Sequence, residues 1–304
     1  MKNCVIMKRD ELKYRLIWGG LRALTRLPLG ALYLLSDFAA FVLGRLLHYR
    51  AKVILGNLRL AFPEKSDMEL RRIEKAYYRH LCDVFVEAAK LANVSDSEME
   101  RRVKIEGIEL VNEAIDRGKS VVLLLGHFGN WEWVTAAARE MHPGAVMCEI
   151  YHPLSDTAMD RVMLGLRSRF GTENIPMART VRRLMEIGRE GGHFVCGFIS
   201  DQRPFTDDLK HWTNFLGVDT PYVNGGEMIG AKLGAEFLYV EMMPLKRGYY
   251  ALRFKKLEPA QDGEENPYTR AYLHELERSI RQSPPDWLWS HNRWVDERSF
   301  RKRE

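Results

Sequence analysis

SVVLLLGHFGNWE, the stretch from Ser120 to Glu132, decides how the rest of the chain is read. Ser120–Leu125 is a short, continuous apolar run rich in valine and leucine, which predicts a strand buried on both faces. A polar turn follows at Gly126-His127-Phe128-Gly129. Asn130 is a residue type that caps helices, so a helix is expected over about 130–141. In open α/β sheets, sites gather beyond the carboxyl ends of the strands. His127 therefore stands at the mouth of a crevice. Glu132 lies five residues on, in the first turn of the expected helix, where its carboxylate could fold back towards the imidazole. A carboxylate on one ring nitrogen fixes the tautomer and leaves the other nitrogen free to take a proton from a hydroxyl. The residues alone leave a second reading open, a hydrogen-bonded structural histidine at a strand end.

Outward from this stretch, strand-like and helix-like runs alternate. Strands are expected at 120–125, 145–151, 193–200, 236–242 and 249–257, and helices near 155–170, 180–190, 222–234 and 267–282. Ser66-Asp67-Met68-Glu69 is a capping box opening another helix, with Leu70, Ile73, Tyr77, Leu81 and Val84 on its apolar face. The alternation predicts an α/β fold with a sheet covered on both sides. Residues 203–216 are the least regular interior stretch and read as a loop, either a plain surface loop or one that faces a substrate.

The N-terminus has a different character. Residues 27–47 read LPLGALYLLSDFAAFVLGRLL, long and apolar enough to cross a bilayer or lie in its surface. Asp37 stands at its centre, where a charge costs about 3 kcal/mol in a lipid-bathed helix. Gly30, Asp37 and Gly44 recur every seven residues and share one face, which is expected to pack on protein and leave Leu and Phe for lipid. Residues 14–24 mix Tyr14 and Trp18 with Arg15 and Arg22, as an interfacial helix does. Residues 1–60 hold eleven Lys/Arg against three acids, a balance of +8; the remainder sums to −3, giving the whole-chain +5. Basic residues next to an apolar segment favour anionic lipid over nucleic acid as the partner. The division expected is a membrane-associating segment over 1–60 and a catalytic domain over 61–304. A buried core helix is the alternative for 27–47. A cleaved signal peptide fits less well, because no small-x-small site follows.

Cys4, Cys82, Cys148 and Cys196 are far apart, which suggests reduced thiols and neither disulfides nor a zinc site. No G-x-S-x-G marks a serine hydrolase, no H-E-x-x-H marks a zinc protease, and Arg117-Gly118-Lys119-Ser120 lacks the first glycine of a P-loop. No metal and no cofactor are expected.

His127-Phe128-Gly129-Asn130-Trp131-Glu132 also resembles the H-x4-D/E motif of glycerolipid acyltransferases, in the form typical of the lipid A secondary (lauroyl/myristoyl) acyltransferases. The likeness extends in order along most of the chain. Asn57–Pro63 is similar to that family's N-x-x-x-A-F-P segment. Tyr151-His152-Pro153 with Arg167–Gly171 is similar to its Y-R-P…R-x-R-x-G block. Asp201-Gln202, Phe215-Leu216-Gly217 and Gly225 are similar to its D-Q…F-F-G…G block, and Pro285–Trp294 to its closing P-x-x-W-x-W-x-H-x-R-W segment. The resemblance implies a glycerolipid-acyltransferase-like mixed sheet flanked by helices and preceded by a membrane helix. It implies transfer of an acyl chain from an acyl-carrier-protein thioester, as co-substrate, to a hydroxyl of a lipid A precursor at the bacterial inner membrane, with the catalytic domain facing the cytoplasm. His127 is then the general base and Glu132 its orienting partner. Gly129, Asn130, Arg167, Arg169, Asp201 and Gln202 are the candidate substrate-binding residues: Asp201 and Gln202 follow a strand and so edge the site, while Arg167 and Arg169 could bind lipid phosphates or hold the oxyanion, or lie on a solvated helix face. A thioester is already activated, so a base, an oxyanion site and an apolar channel suffice. The sequence departs from the pattern at His152 (usually Arg), at Arg203 after Asp201-Gln202, and at Leu216 (usually Phe). These departures leave another membrane-lipid acceptor, such as an aminoacyl lipid, lysophospholipid or glycolipid, as the alternative. A membrane-anchored binding protein without catalysis is the other.

Overall fold

A computed structural model of the chain describes residues 2–204, 209–261 and 263–294, with side chains from Arg9 onward. Helix α1 (Lys2–Leu24) precedes α2 (Leu29–Phe41), which runs on through a π-helical turn at Val42–Leu46. Then come α3 (Ala51–Ala61), α4 (Asp67–Lys90), α5 (Asp96–Arg102), β1 (Val103–Glu106), α6 (Ile108–Asp116) and β2 (Val121–Leu125). A 3-10 stretch, Trp131–Arg139, leads to β3 (Ala145–Tyr151), α7 (Thr157–Arg167), β4 (Glu173–Pro176), α8 (Thr180–Arg189) and β5 (His193–Ile199). The hairpin β6 (Trp212–Phe215) and β7 (Val218–Pro221) precedes α9 (Gly225–Leu233), β8 (Glu236–Lys246), β9 (Tyr249–Lys256) and α10 (Pro267–Gln282).

Seven strands form one sheet in the order β1-β9-β8-β2-β5-β3-β4. β8, β2, β5, β3 and β4 are mutually parallel, while β9 and β1 run the other way. β2 is central and every one of its residues is buried. Its side chains alternate between two cores, as a period of two requires. Val122 and Leu124 pack with α3, α8 and α10 on one face; Val121, Leu123 and Leu125 pack with α2, α6 and α7 on the other.

The five expected strands are present within a few residues of their predicted ends. The Ser66 capping box also forms: Glu69 N–H donates to the Ser66 hydroxyl and Ser66 N–H to the Glu69 carboxylate. Two features differ. The segment after Asn130 is 3-10 rather than α-helical, and Asn130 makes no cap. Part of the stretch read as an irregular loop, 203–216, is strand β6; residues 205–208 of it lie outside the described residues. The N-terminal 60 residues are docked closely on the remainder, with α2 against α4 and α1 against α7.

The stripe on α2 packs largely as its spacing predicts. A Cβ at Gly44 would lie 2.8 Å from the Tyr78 ring, so the π turn needs glycine there. Asp37 pairs with Arg79 and Arg247, Ser36 donates to Asp83, and Tyr33 donates to Glu87. Gly30, in contrast, has nothing near it. Leu34, Leu35, Phe38 and Phe41 point away from the protein, 48–72% exposed.

Candidate active site

Parallel pairing of β2 with β5 aligns Leu125 with Ile199. Continued two residues past the strand ends, the same register sets His127 opposite Asp201. Both oxygens of that carboxylate are used. Oδ1 lies 2.7 Å from Nδ1 of His127, and Oδ2 accepts from the His127 backbone N–H at 2.9 Å and from Nε1 of Trp287 at 2.8 Å. Burial would push the Asp201 carboxyl up. Attraction to a protonated imidazole at His127 and these hydrogen bonds outweigh burial and hold it at about 2. An ionised carboxylate only accepts, so Nδ1 carries the hydrogen, and in the neutral imidazole Nε2 then has a free lone pair. The imidazole keeps 18% of its side-chain area exposed, and among the described residues Nε2 meets only the amide of Gln202, at 3.5 Å. Trp131 packs edge-on against the imidazole, 5.2 Å between centroids.

Glycines let the turn bend this sharply. Gly129 has φ +59, and a Cβ on it would fall 1.9 Å from the Met242 carbonyl oxygen. Its N–H donates to the Asp286 carbonyl, and Phe128 bridges to Trp287. The turn is thus clamped between β8 and the segment that follows α10.

Glu132 is not the partner of His127, which corrects the pairing expected from its spacing. Both its oxygens accept from Arg167, at 2.7 and 2.9 Å, in the forked geometry that suits guanidinium and carboxylate. Glu149 on β3 stands 3.4 Å from the same guanidinium. The 3-10 backbone directs Glu132 towards α7, and the neighbouring cation there captures it. Asn130 is completely buried and donates to Glu87 at 2.6 Å. Glu87 also accepts from Tyr33 and Tyr250, and its backbone carbonyl accepts from Nε1 of Trp133. The Glu87 carboxyl, raised by burial to about 7, is thus a hub tying the turn that carries His127 to α2 and α4. Nothing in the sequence set Glu87 apart from the other polar residues of an amphipathic helix. Arg169 turns to α5, donating to Asp96 and to the Val94 carbonyl. Of the predicted site residues, His127, Asp201 and Gln202 therefore form one cluster. Glu132 and Arg167 form a second beside it. Gly129 and Asn130 shape the turn.

The family model of bacterial lipid A biosynthesis acyltransferases matches residues 7–296. The chain belongs to that family. It is an O-acyltransferase of lipid A synthesis. Among its relatives, the lipid A biosynthesis palmitoleoyltransferase of Escherichia coli (strain K12) is 24% identical over 289 residues, covering 93% of this chain and 92% of the relative. The lipid A biosynthesis acyltransferase of Haemophilus influenzae is 21% identical over 236 residues, 77% and 72% of the two chains. The E. coli lipid A biosynthesis myristoyltransferase is 27% identical over 128 residues, 42% and 39%.

Proposed function

We propose that this acyltransferase moves a fatty acyl chain from an acyl-carrier-protein thioester to a hydroxyl of a lipid A precursor, with His127 as general base and Asp201 as the residue that orients it. One observation carries the reading: an imidazole whose Nδ1 hydrogen is held by an ionised, buried carboxylate while Nε2 faces the surface. In this mechanism Nε2 takes the acceptor's hydroxyl proton as the oxygen attacks the thioester carbonyl. The tetrahedral intermediate then collapses, the C–S bond breaks, and the imidazolium returns the proton to the departing thiolate. Asp201 stabilises the imidazolium between the two steps. Glu132 contributes by fixing Arg167, not by touching the base.

The test is acyl transfer by membranes containing wild type or His127→Ala, given the thioester and a lipid A precursor, with products weighed by mass spectrometry. Loss of a base is expected to slow transfer about 100–10,000-fold. Equal product from both would make His127 structural. No product from either would overturn the lipid A assignment and direct the search to other lipid acceptors.

We further propose that α2 lies in one leaflet of the inner membrane, on the cytoplasmic side, without crossing it. The helix with its π turn, Leu29–Leu46, is long and apolar enough to span. Yet its inner face is bonded to Asp83, Arg79 and Glu87 of α4 and to Arg247 between β8 and β9. Crossing would drag these charges into hydrocarbon or strip their partners. The outer face offers Leu34, Leu35, Phe38 and Phe41, each worth about 1.5–3 kcal/mol when buried in lipid. Exposed Arg22, Arg26, Arg45, Arg50 and Lys52 flank it, suited to anionic headgroups. Single cysteines at Leu27 and Leu47, in a Cys4→Ser background, are expected to react equally with an impermeant maleimide from the cytoplasmic face and from that face only. Labelling of the two ends from opposite faces would establish a span.

A further inference from the structure

Arg293 has the least ordinary surroundings of any charged side chain among the described residues. It is 0% exposed, and its Nε, Nη1 and Nη2 atoms are all buried without a hydrogen-bond partner. A buried guanidinium with five unmet donors is costly, and such groups are ordinarily paired. The segment bearing it is built into the site. Trp287 donates to Asp201, Trp294 donates to Thr220, and Asn57 holds the carbonyls of Trp289 and His291. The ring of Trp294, the next residue, lies 6.0 Å from that of Trp287, the donor to Asp201; burial lowers the Arg293 guanidinium to about 10, and Asp201 is the carboxylate that opposes this. That carboxylate is itself 2% exposed, and among the described residues its three hydrogen-bond donors are N–H groups of His127 and Trp287, with no arginine or lysine bonded to it. Two opposite charges are thus buried in one region without touching.

We propose that Arg293 is a positioning residue for acyl transfer, a buried counter-ion that keeps Asp201 ionised and so keeps the proton on Nδ1 of His127. The inference rests on His127 acting as the base. Acting through space has a use here. A guanidinium bonded to Asp201 would compete for the oxygens that hold His127 and Trp287, whereas an unbonded one supplies charge and leaves the geometry intact. It also opposes uptake of a further proton by the His127–Asp201 pair, which must begin each turnover with Nε2 free. Other groups face the pair. Tyr239 of β8 and Tyr272 of α10 have phenols that burial pushes upward, so they stay neutral. His291 is pushed down to about 4 by burial and is neutral as well, with Arg50 beyond it. Arg203 adds a second positive charge near Arg293.

The test uses the full-length enzyme in detergent, comparing wild type, Arg293→Gln and Arg293→Lys. Removing the charge is expected to move the acidic limb of the kcat/KM profile up by about one pH unit, the low end of what a neighbouring charge does. Activity should largely recover above it, and Arg293→Lys should leave the limb in place. A residue that merely fills the core would lower activity at every pH without moving the limb, and that result overturns the proposal. A double-mutant cycle covers a poorly folding single variant and needs no acyl transfer. Removing both charges, Asp201→Asn with Arg293→Gln, is expected to give a protein that melts higher than Arg293→Gln alone. A double variant that melts no higher, or does not fold, overturns the pairing. Wild type that transfers no acyl chain would instead overturn the proposed reaction, leaving the cycle to decide Arg293.

Discussion

Asparagine in place of Asp201 is expected to slow acyl transfer roughly 1,000–10,000-fold while the protein stays folded, with the effect in kcat rather than in KM. The amide keeps the shape of the carboxylate but not its charge. It can also offer its NH2 to Nδ1, which moves the imidazole hydrogen to Nε2, where the lone pair is needed. The same substitution in serine-protease triads has an effect of this order for this reason. Trp287 Nε1–H and the His127 backbone N–H still point at position 201. Both donate to the same oxygen, so with the NH2 turned to Nδ1 both keep the amide oxygen as partner and the turn should hold its shape. Glu132→Gln should do much less to the chemical step, because Glu132 meets Arg167 and not His127. Single-turnover transfer at saturating acceptor separates the two. A larger loss of rate for Glu132→Gln than for Asp201→Asn would return the orienting role to Glu132.

That contrast shows where the sequence was informative and where it was not. The strands were legible because β2 and β5 are buried on both faces and read as unbroken apolar runs between polar turns. Asp201 stood in the text as the residue after one such run. What was missing was the register: once β5 is set beside β2 in parallel, an offset of 74 residues places 201 against 127. Sequence spacing favours local partners, so it points to Glu132, five residues away, whereas the carboxylate that meets the imidazole is the non-local Asp201. It also assumed α-helical geometry, whereas Trp131–Arg139 is 3-10 and turns Glu132 aside.

The hairpin β6–β7 was hidden for another physical reason. Its two-residue turn places Leu216 at φ +55 and Gly217 at φ +80. Asn or Gly is the usual sign of a positive φ at the first of these positions, and leucine gives no such signal. Leu216 is 1% exposed and its N–H donates to Glu277, so burial and a hydrogen bond offset the backbone cost. Arg293, likewise, sits in a recognisable segment, but nothing in W-x-H-x-R-W says that its arginine is buried without a partner.

Arg167→Ala is expected to cost about 3 kcal/mol of stability near pH 8, within the range for breaking a buried ion pair and reduced because the arginine keeps about a quarter of its side-chain area exposed. For a chain of this size that corresponds to a fall of about 5 °C in melting temperature. The substitution leaves Glu132 and Glu149 as neighbouring carboxylates without the cation between them. Glu149 makes the loss depend on pH. Burial, opposed by Arg167 and assisted by Glu132, raises its carboxyl to about 7. A folded pKa above the unfolded value means that this group's contribution is fully present below about pH 4.5 and is lost as pH rises through about 7. Without Arg167 the carboxyl holds its proton more strongly, and ionising it costs more. The deficit of the variant relative to wild type should therefore be smaller near pH 5.5 than near pH 8. Glu149→Gln in the Arg167→Ala background should recover part of it at the higher pH, because only one charge then remains. Melting curves of the detergent-solubilised proteins at the two pH values provide the measurement. A deficit that is the same at both, and that Glu149→Gln leaves unchanged, would mean that Arg167 supports the fold through its packing against the 3-10 segment and not by neutralising the two carboxylates.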